Sequence, residues 1–278
     1  MKNIMVEKEG RLLKIFINRE KKLNPLDIET IEEIGEALKD EKYIGIISGM
    51  NKAFSAGADI NVFLNLDPVT AFDFSKRGHQ VMDFIEERQM PVIAAIHGFA
   101  LGGGFELALA CDIRIAHPDT YFGLPEVTLG IIPGFGGTQR LRNLVGDNMA
   151  FQLASLGTKV DSNRALNLGI ISEINEKYME RAIEIGKQYE ALPYESLAYI
   201  KELTRGKNKD LFDREKEYFG NMFKTENQRE GARAFIEKRK ANFNTKINNS
   251  FLHIHIDIAF QKMYLRHFTL LLGLICEF

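Results

Sequence analysis

Cysteine is scarce in this chain. Only Cys111 and Cys276 occur, in dissimilar settings, which argues against a disulfide framework and for a reducing compartment. The opening stretch, MKNIMVEKEGRLLKIFIN, alternates charge and hydrophobicity within a few residues and lacks the apolar centre of a secretory leader. No window ahead of the C-terminal end reaches the roughly 18 continuous apolar residues of a membrane helix. An excess of either charge is also missing. With 36 basic and 38 acidic residues the formal net charge is −2, so there is no bulk field for nucleic acid or an anionic membrane. An anionic substrate would need local clusters of basic residues instead. Internal repeats and low-complexity tracts are absent. These absences predict a soluble, cytoplasmic protein with neither nucleic-acid nor membrane partners.

What is present suits a globular enzyme. The 278 residues are 45% hydrophobic and 27% charged, enough for one large domain, or one domain with a smaller appendage. Leu12 to Ile17 reads as a strand. Asp27 is placed to cap a helix carrying Ile28, Ile31, Ile34 and Leu38 at helical spacing. A short apolar run, Tyr43 to Ile47, precedes the turn-prone SGMNKAFSAGAD, and a helix is expected from Val69 to Glu87, ended by Pro91. Val92 to Ile96 and Ile113 to Ala116 read as buried strands around a helix starting near Phe105. Strands alternating with helices predict an α/β fold with short connections. Beyond Asp147 the pattern turns helical, near 147–156, 161–168, 176–190, 195–206 and 210–239, with Ile170 to Ile174 as a strand. Residues 246–278 differ from all of this, being strongly apolar and holding three of the six histidines.

Three segments carry chemistry. In VIAAIHGFALGGGFELALACD a strand runs into Gly102, Gly103 and Gly104, which let backbone approach a ligand without a Cβ in the way. The helix that follows holds Glu106 in its first turn, and its free N-terminal amides suit an oxygen anion. There is no G-x-G-x-x-G register and no phosphate-loop lysine. Taken alone, this segment serves equally as a close helix–strand turn with Glu106 favouring the helix dipole. SAGADI, Ser55 to Ile60, is a second small-residue loop able to offer another amide; alone it reads as an ordinary turn. The stretch around Ser55 resembles a nucleophile elbow, but no histidine nearby supports that serine. The third segment, YFGLPEVTLGIIPGFGGTQRL, sets Glu126 among apolar side chains, where a carboxyl pKa should rise toward neutrality. A glutamate in a surface loop is the plain alternative. GFGGTQRL reads as a turn into a helix whose N-terminus faces the same pocket.

Together, KAFSAGADI, PVIAAIHGFALGGGFELALACD, FGLPEVTLGIIPGFGGTQRL and the late EGARAFIEKRKANF closely resemble the enoyl-CoA hydratase/isomerase (crotonase) family, from near the N-terminus to about Asn244. The resemblance implies an α/β spiral of ββα units over residues 1–195. It also implies a helical oligomerisation region over 196–245 that mediates homotrimers, commonly paired as a hexamer, and leaves 246–278 as an atypical tail. It implies hydration of a trans-2-enoyl-CoA to the 3-hydroxyacyl-CoA by syn addition, as in fatty acid oxidation. The catalytic pair would be Glu106 and Glu126, and the oxyanion hole the amides of Ala58 and Gly103. Gly134 would lie near the water. Ala56, Asp59 and Ile60 would contact the adenine and pantetheine of coenzyme A, with Lys22 and Lys52 near its phosphates. Phe235 and Lys238 would reach a neighbouring subunit's site. No metal or cofactor is implied, since coenzyme A is part of the substrate.

Two features depart from the family. Asn61 stands where many members carry lysine, which removes one phosphate contact. The chain also continues past the usual end to Phe278, through an H-x-H at His253 and His255 that lacks a third ligand at a telling spacing. Two alternatives stand beside the hydratase: a 3,2-enoyl-CoA isomerase, needing mainly Glu126, and a non-catalytic acyl-CoA-binding or RNA-binding scaffold. RNA binding would need a basic face, and the short run Lys238 to Lys240 reads as a solvated helix end.

Overall fold

The computed structural model describes residues 1–19, 23–206 and 210–244. Lys22 and the tail 246–278, with His253 and His255, lie outside them. The chain winds as a spiral that adds one strand to a large sheet and a short extended piece to a second layer in each turn, then closes with a helix.

The first turn enters through the hairpin β1 (Ile4–Glu9) and β2 (Leu12–Ile17), touches the second layer at Leu26 and closes with α1 (Ile28–Ala37). Asp27 caps α1 as expected, accepting from the Thr30 N–H at 2.9 Å. The second turn adds β3 (Ile44–Gly49), the bridge residues Ser55 and Ala58, the short α2 (Ile60–Phe63) and the long α3 (Pro68–Glu87). The third adds β4 (Val92–Ile96), β5 (Phe99–Leu101) and α4 (Gly103–Ala110). The fourth adds β6 (Ile113–Ala116), β7 (Tyr121–Gly123), a 3₁₀ turn (Pro125–Leu129), α5 (Gly137–Val145) and α6 (Asp147–Ser155). Then follow β8 (Val160–Asp161), α7 (Ser162–Asn167), β9 (Glu173–Ile174), α8 (Tyr178–Glu190), α9 (Tyr194–Arg205), α10 (Leu211–Met222) and α11 (Glu226–Ile236).

The large sheet runs β1-β2-β3-β4-β6-β9, antiparallel at the first pair and parallel thereafter; the small sheet runs β5-β7-β8. Every residue of β3 and β4 is buried, because both faces of a parallel sheet are covered. One face packs against α1, α3 and α4 through Ile15, Ile47, Ile31, Met82 and Phe105. The other packs against α8 and α9 through Ile46, Ile93, Ala182 and Tyr194. This two-sided cover explains why the apolar runs of these strands were legible without alternation.

The strand expected over Ile170 to Ile174 is confined to β9 at its last two residues, and two further expectations needed revision. The expected helix over 210–239 is two helices, because Thr225 accepts from the Gln228 N–H and starts α11 afresh. The strands β1, β5 and β7 escaped notice: β1 is a mostly exposed edge rich in charge, and the other two have three residues each. The helical candidates near 147–156, 161–168, 176–190 and 195–206 match α6 to α9 within two residues at each end.

Candidate active site

The second layer positions two backbone amides. Leu26 donates to the Gly57 carbonyl at 2.8 Å and accepts from the Asp59 N–H at 3.0 Å, so in this parallel bridge the Ala58 N–H points away from Leu26. Three residues earlier, Ser55 bonds on both sides of Ala100, at Phe99 and Leu101. That pairing brings the SAGAD loop against the glycines that open α4. A Cβ added at Gly103 would lie 3.7 Å from the Ala58 nitrogen, and one added at Gly102 would lie 3.7 Å from the Gly57 Cα. Gly103 is the first residue of α4, so its N–H has no acceptor one turn back. Two N–H groups from separate spiral turns thus lie close together at the positive end of a helix, where negative charge is favoured.

Glu106 lies in the first turn of α4, a helix buried along its entire length. It is 1% exposed. Its Oε1 accepts from the N–H groups of Phe135 and Gly137, both at 2.8 Å. Glu126, in the 3₁₀ turn, is 8% exposed, with its Oε2 buried and lacking a protein hydrogen-bond partner. A Cβ on Gly102 would meet the Glu126 Oε1 at 3.0 Å, so this carboxyl overhangs the turn that opens α4. Burial, rather than the surface loop that sequence also allowed, is its actual setting.

Burial pushes both carboxyl groups up. For Glu106 the amides of Gly137, Phe135 and Gly134 and the Arg140 guanidinium pull in the opposite direction. Glu126 has little such compensation: burial, reinforced by the charge of Glu106, raises its pKa to about 7. Both carboxyls therefore hold a proton more readily than a solvated glutamate does, and the charge of one bears on the titration of the other.

The remaining expected site residues divide into two groups. Gly134 is brought to Glu106 through its N–H, and its carbonyl accepts from Ser75 Oγ at 2.6 Å. Ala56 lies in the amide loop, its N–H held by the Leu23 carbonyl at 3.0 Å. Ile60 begins α2 and is 55% exposed. Asp59 is buried, its carboxylate engaged with Arg19 Nη2 at 3.1 Å and with Asn61 Nδ2 at 2.8 Å, and its carbonyl accepts from the Val62 N–H at 2.9 Å. Lys52 is exposed. Phe235 is exposed at the end of α11, and Lys238 follows with a φ of 51°; neither has a described hydrogen bond to the glutamates. Sequence reasoning overlooked Phe135, Gly137 and Arg140. The only signal was the glycine-rich entry to α5, which does face the pocket as expected.

The fold is a ββα spiral, and it sets two buried carboxyls beside the glycine turn that opens α4. The chain belongs to the enoyl-CoA hydratase/isomerase family, whose model matches residues 7–246. It is 40% identical over 252 residues to a short-chain-enoyl-CoA hydratase of Clostridium acetobutylicum, covering 86% of this chain and 97% of that one. It is 41% identical over 256 residues to a crotonyl-CoA hydratase of Syntrophomonas wolfei subsp. wolfei, covering 88% and 98%. The crystal structure of an enoyl-CoA hydratase from Bacillus anthracis superposes with a TM-score of 0.83 at 32% identity, covering 88% of this chain and 100% of that one. Among the described residues no helix is long and apolar enough to cross a membrane.

Proposed function

We propose that this chain is an enoyl-CoA hydratase, adding water across the double bond of a trans-2-enoyl-CoA to give the 3-hydroxyacyl-CoA. The observation that carries this function is the pair of buried glutamates, both pushed up by burial, beside the Ala58 and Gly103 amides. The thioester carbonyl accepts from those two amides, which polarises the conjugated system and holds the enolate formed as water attacks C3. One such donor is worth about 3 kcal/mol in the transition state. Glu106, ionised and fixed by its own amides, takes a proton from the attacking water. Glu126 delivers its proton to C2. Transfer of a proton from Glu106 back to Glu126 resets the pair, so the carboxyls are unchanged over a full cycle.

The names of the two bacterial relatives support a short acyl chain, so crotonyl-CoA is the first substrate to try. Loss of the enoyl-thioester absorbance with appearance of 3-hydroxybutyryl-CoA is expected; a folded protein that leaves crotonyl-CoA and longer enoyl-CoAs unchanged overturns the function. The pH profile has a definite sign. Hydration needs the proton on Glu126, whose pKa is about 7, so kcat/KM of the free enzyme falls as pH rises through that value. Hydration also needs Glu106 ionised, so the rate falls on the acid side of the pH at which that carboxyl takes up its proton. A flat profile through pH 7 would contradict the assignment of Glu126 as proton donor.

A cytoplasmic enzyme of fatty acid β-oxidation that works as a homotrimer, or as a hexamer of two trimers, completes the proposal. Support for assembly comes from α10 and α11, where Phe212, Phe219, Phe223, Phe235 and Ile236 are 53% to 85% exposed. So much apolar area on two adjacent helices marks an interaction surface. Light scattering behind gel filtration should give three or six times the 31.6 kDa chain mass; a monomer at micromolar concentration rejects the assembly.

A further inference from the structure

The turn that holds Glu106 is made of Gly134, Phe135, Gly136 and Gly137, and Gly136 has a φ of 91°. Such a segment has little stiffness of its own, yet two of its amides must stay aimed at one carboxylate oxygen. Arg140, one turn into α5 and 7% exposed, provides the stiffness. Its Nη1 donates to the Phe135 carbonyl at 2.8 Å and lies 2.4 Å from where a Gly136 Cβ would stand. Its Nη2 donates to Asp83 Oδ1 at 2.7 Å, and its Nε to Glu86 Oε2 at 3.3 Å. Both carboxylates belong to α3, so one guanidinium fastens the turn to a helix of an earlier spiral turn.

We propose that Arg140 is the positioning residue of the acid/base pair, clamping the Phe135–Gly137 turn through the Phe135 carbonyl so that two amides stay on Glu106. The proposal rests on the hydratase function for its kinetic consequences but not for its geometry. The charged and titratable groups around the clamp are few. Asp83 and Glu86 face Arg140 from α3, and the His79 ring lies beside Gly136. Arg205 of α9 stands behind Glu86 at 3.7 Å. Glu106 itself faces Arg140 and Glu126. Loss of the clamp removes a cation and weakens two N–H donors at once. Both changes disfavour the ionised form of Glu106, so its titration must move to higher pH.

The test uses Arg140→Gln and Arg140→Lys with two readouts. The first is infrared titration of the Glu106 carboxyl band in substrate-free protein, assigned by its loss in Glu106→Gln. The second is kcat and KM for crotonyl-CoA against pH. In Arg140→Gln the band and the acid limb of kcat should move up by about one pH unit or more, with kcat down about tenfold and KM within about twofold. Arg140→Lys keeps a cation near Asp83 and Glu86 but lacks the fork needed to reach the Phe135 carbonyl as well, so it should fall between wild type and Gln. Folded variants that both titrate and turn over as wild type overturn the proposal, as does a lower kcat with an unmoved acid limb. Should Arg140→Gln fail to fold, the Lys variant decides by the same criteria. The infrared readout needs no turnover, so failure of the wild type to hydrate crotonyl-CoA would remove the hydratase function while leaving the clamp testable.

Discussion

Glu126→Gln should lose about 10²- to 10⁴-fold in kcat for crotonyl-CoA hydration, the range typical of a deleted general acid, with KM little changed. The amide matches the carboxyl in shape and still packs over Gly102, so binding at the Ala58 and Gly103 amides persists. What disappears is the proton for C2. A second effect runs the other way. The folded-state pKa of Glu126 is raised to about 7 by burial and by Glu106, so above that pH the fold carries a buried charge that the unfolded chain holds in water at no such cost. The neutral amide removes that penalty. Glu126→Gln should therefore melt higher than wild type at pH 8, and the gap should close as pH falls through 7 to below 4.5, where wild-type Glu126 is protonated in both states. Paired measurements of kcat and thermal melting across that range check both halves. Near-normal turnover would remove Glu126 from the mechanism, and a mutant that melts lower at pH 8 would refute the buried charge. A site residue that costs stability is the usual mark of function.

Gly102→Ala should harm stability and rate together. Gly102 sits at φ 49°, ψ −129°, a combination that strains any residue with a Cβ by about 1–3 kcal/mol. Space is short as well: the new methyl would meet Glu126 Oε1 at 3.0 Å and the Gly57 Cα at 3.7 Å. The strain falls on the turn that aims the Gly103 amide, and the steric push falls on the proton donor. We expect a lower melting temperature and a kcat at least tenfold down, by analogy with misaimed oxyanion donors. A contrasting site is Gly130, also at positive φ but with open space where its Cβ would be. Gly130→Ala should show backbone strain alone and keep kcat. Equal effects on kcat at both positions would show that the crowding at Gly102 has no catalytic meaning.

Much of the site was legible in residue order. Glu106 could be placed in the first turn of a helix after three glycines, and α4 begins at Gly103, two residues ahead of the expected Phe105. Glu126 could be singled out by its apolar neighbours. Asp59 shows where such reasoning stops: its position in the amide loop was apparent, but Arg19 and Asn61 claim its carboxylate, and neither partner announces itself in SAGADI. Arg140 was hidden more completely, because an arginine four residues past Gly136 resembles any solvated helix arginine until α3 supplies Asp83 and Glu86.

The sequence by itself determined the alternation of strands and helices, the family, and the two carboxyls proposed to carry the chemistry, since runs of apolar residues and glycine-opened helices are local properties. Only the tertiary structure decided how those carboxyls differ. Glu106 is held by amides 29 and 31 residues away, whereas Glu126 is buried beside the charge of Glu106 with its Oε2 lacking a protein partner. Desolvation, Coulomb repulsion and hydrogen bonding act through space, so how readily each glutamate holds a proton is settled by what folds against it.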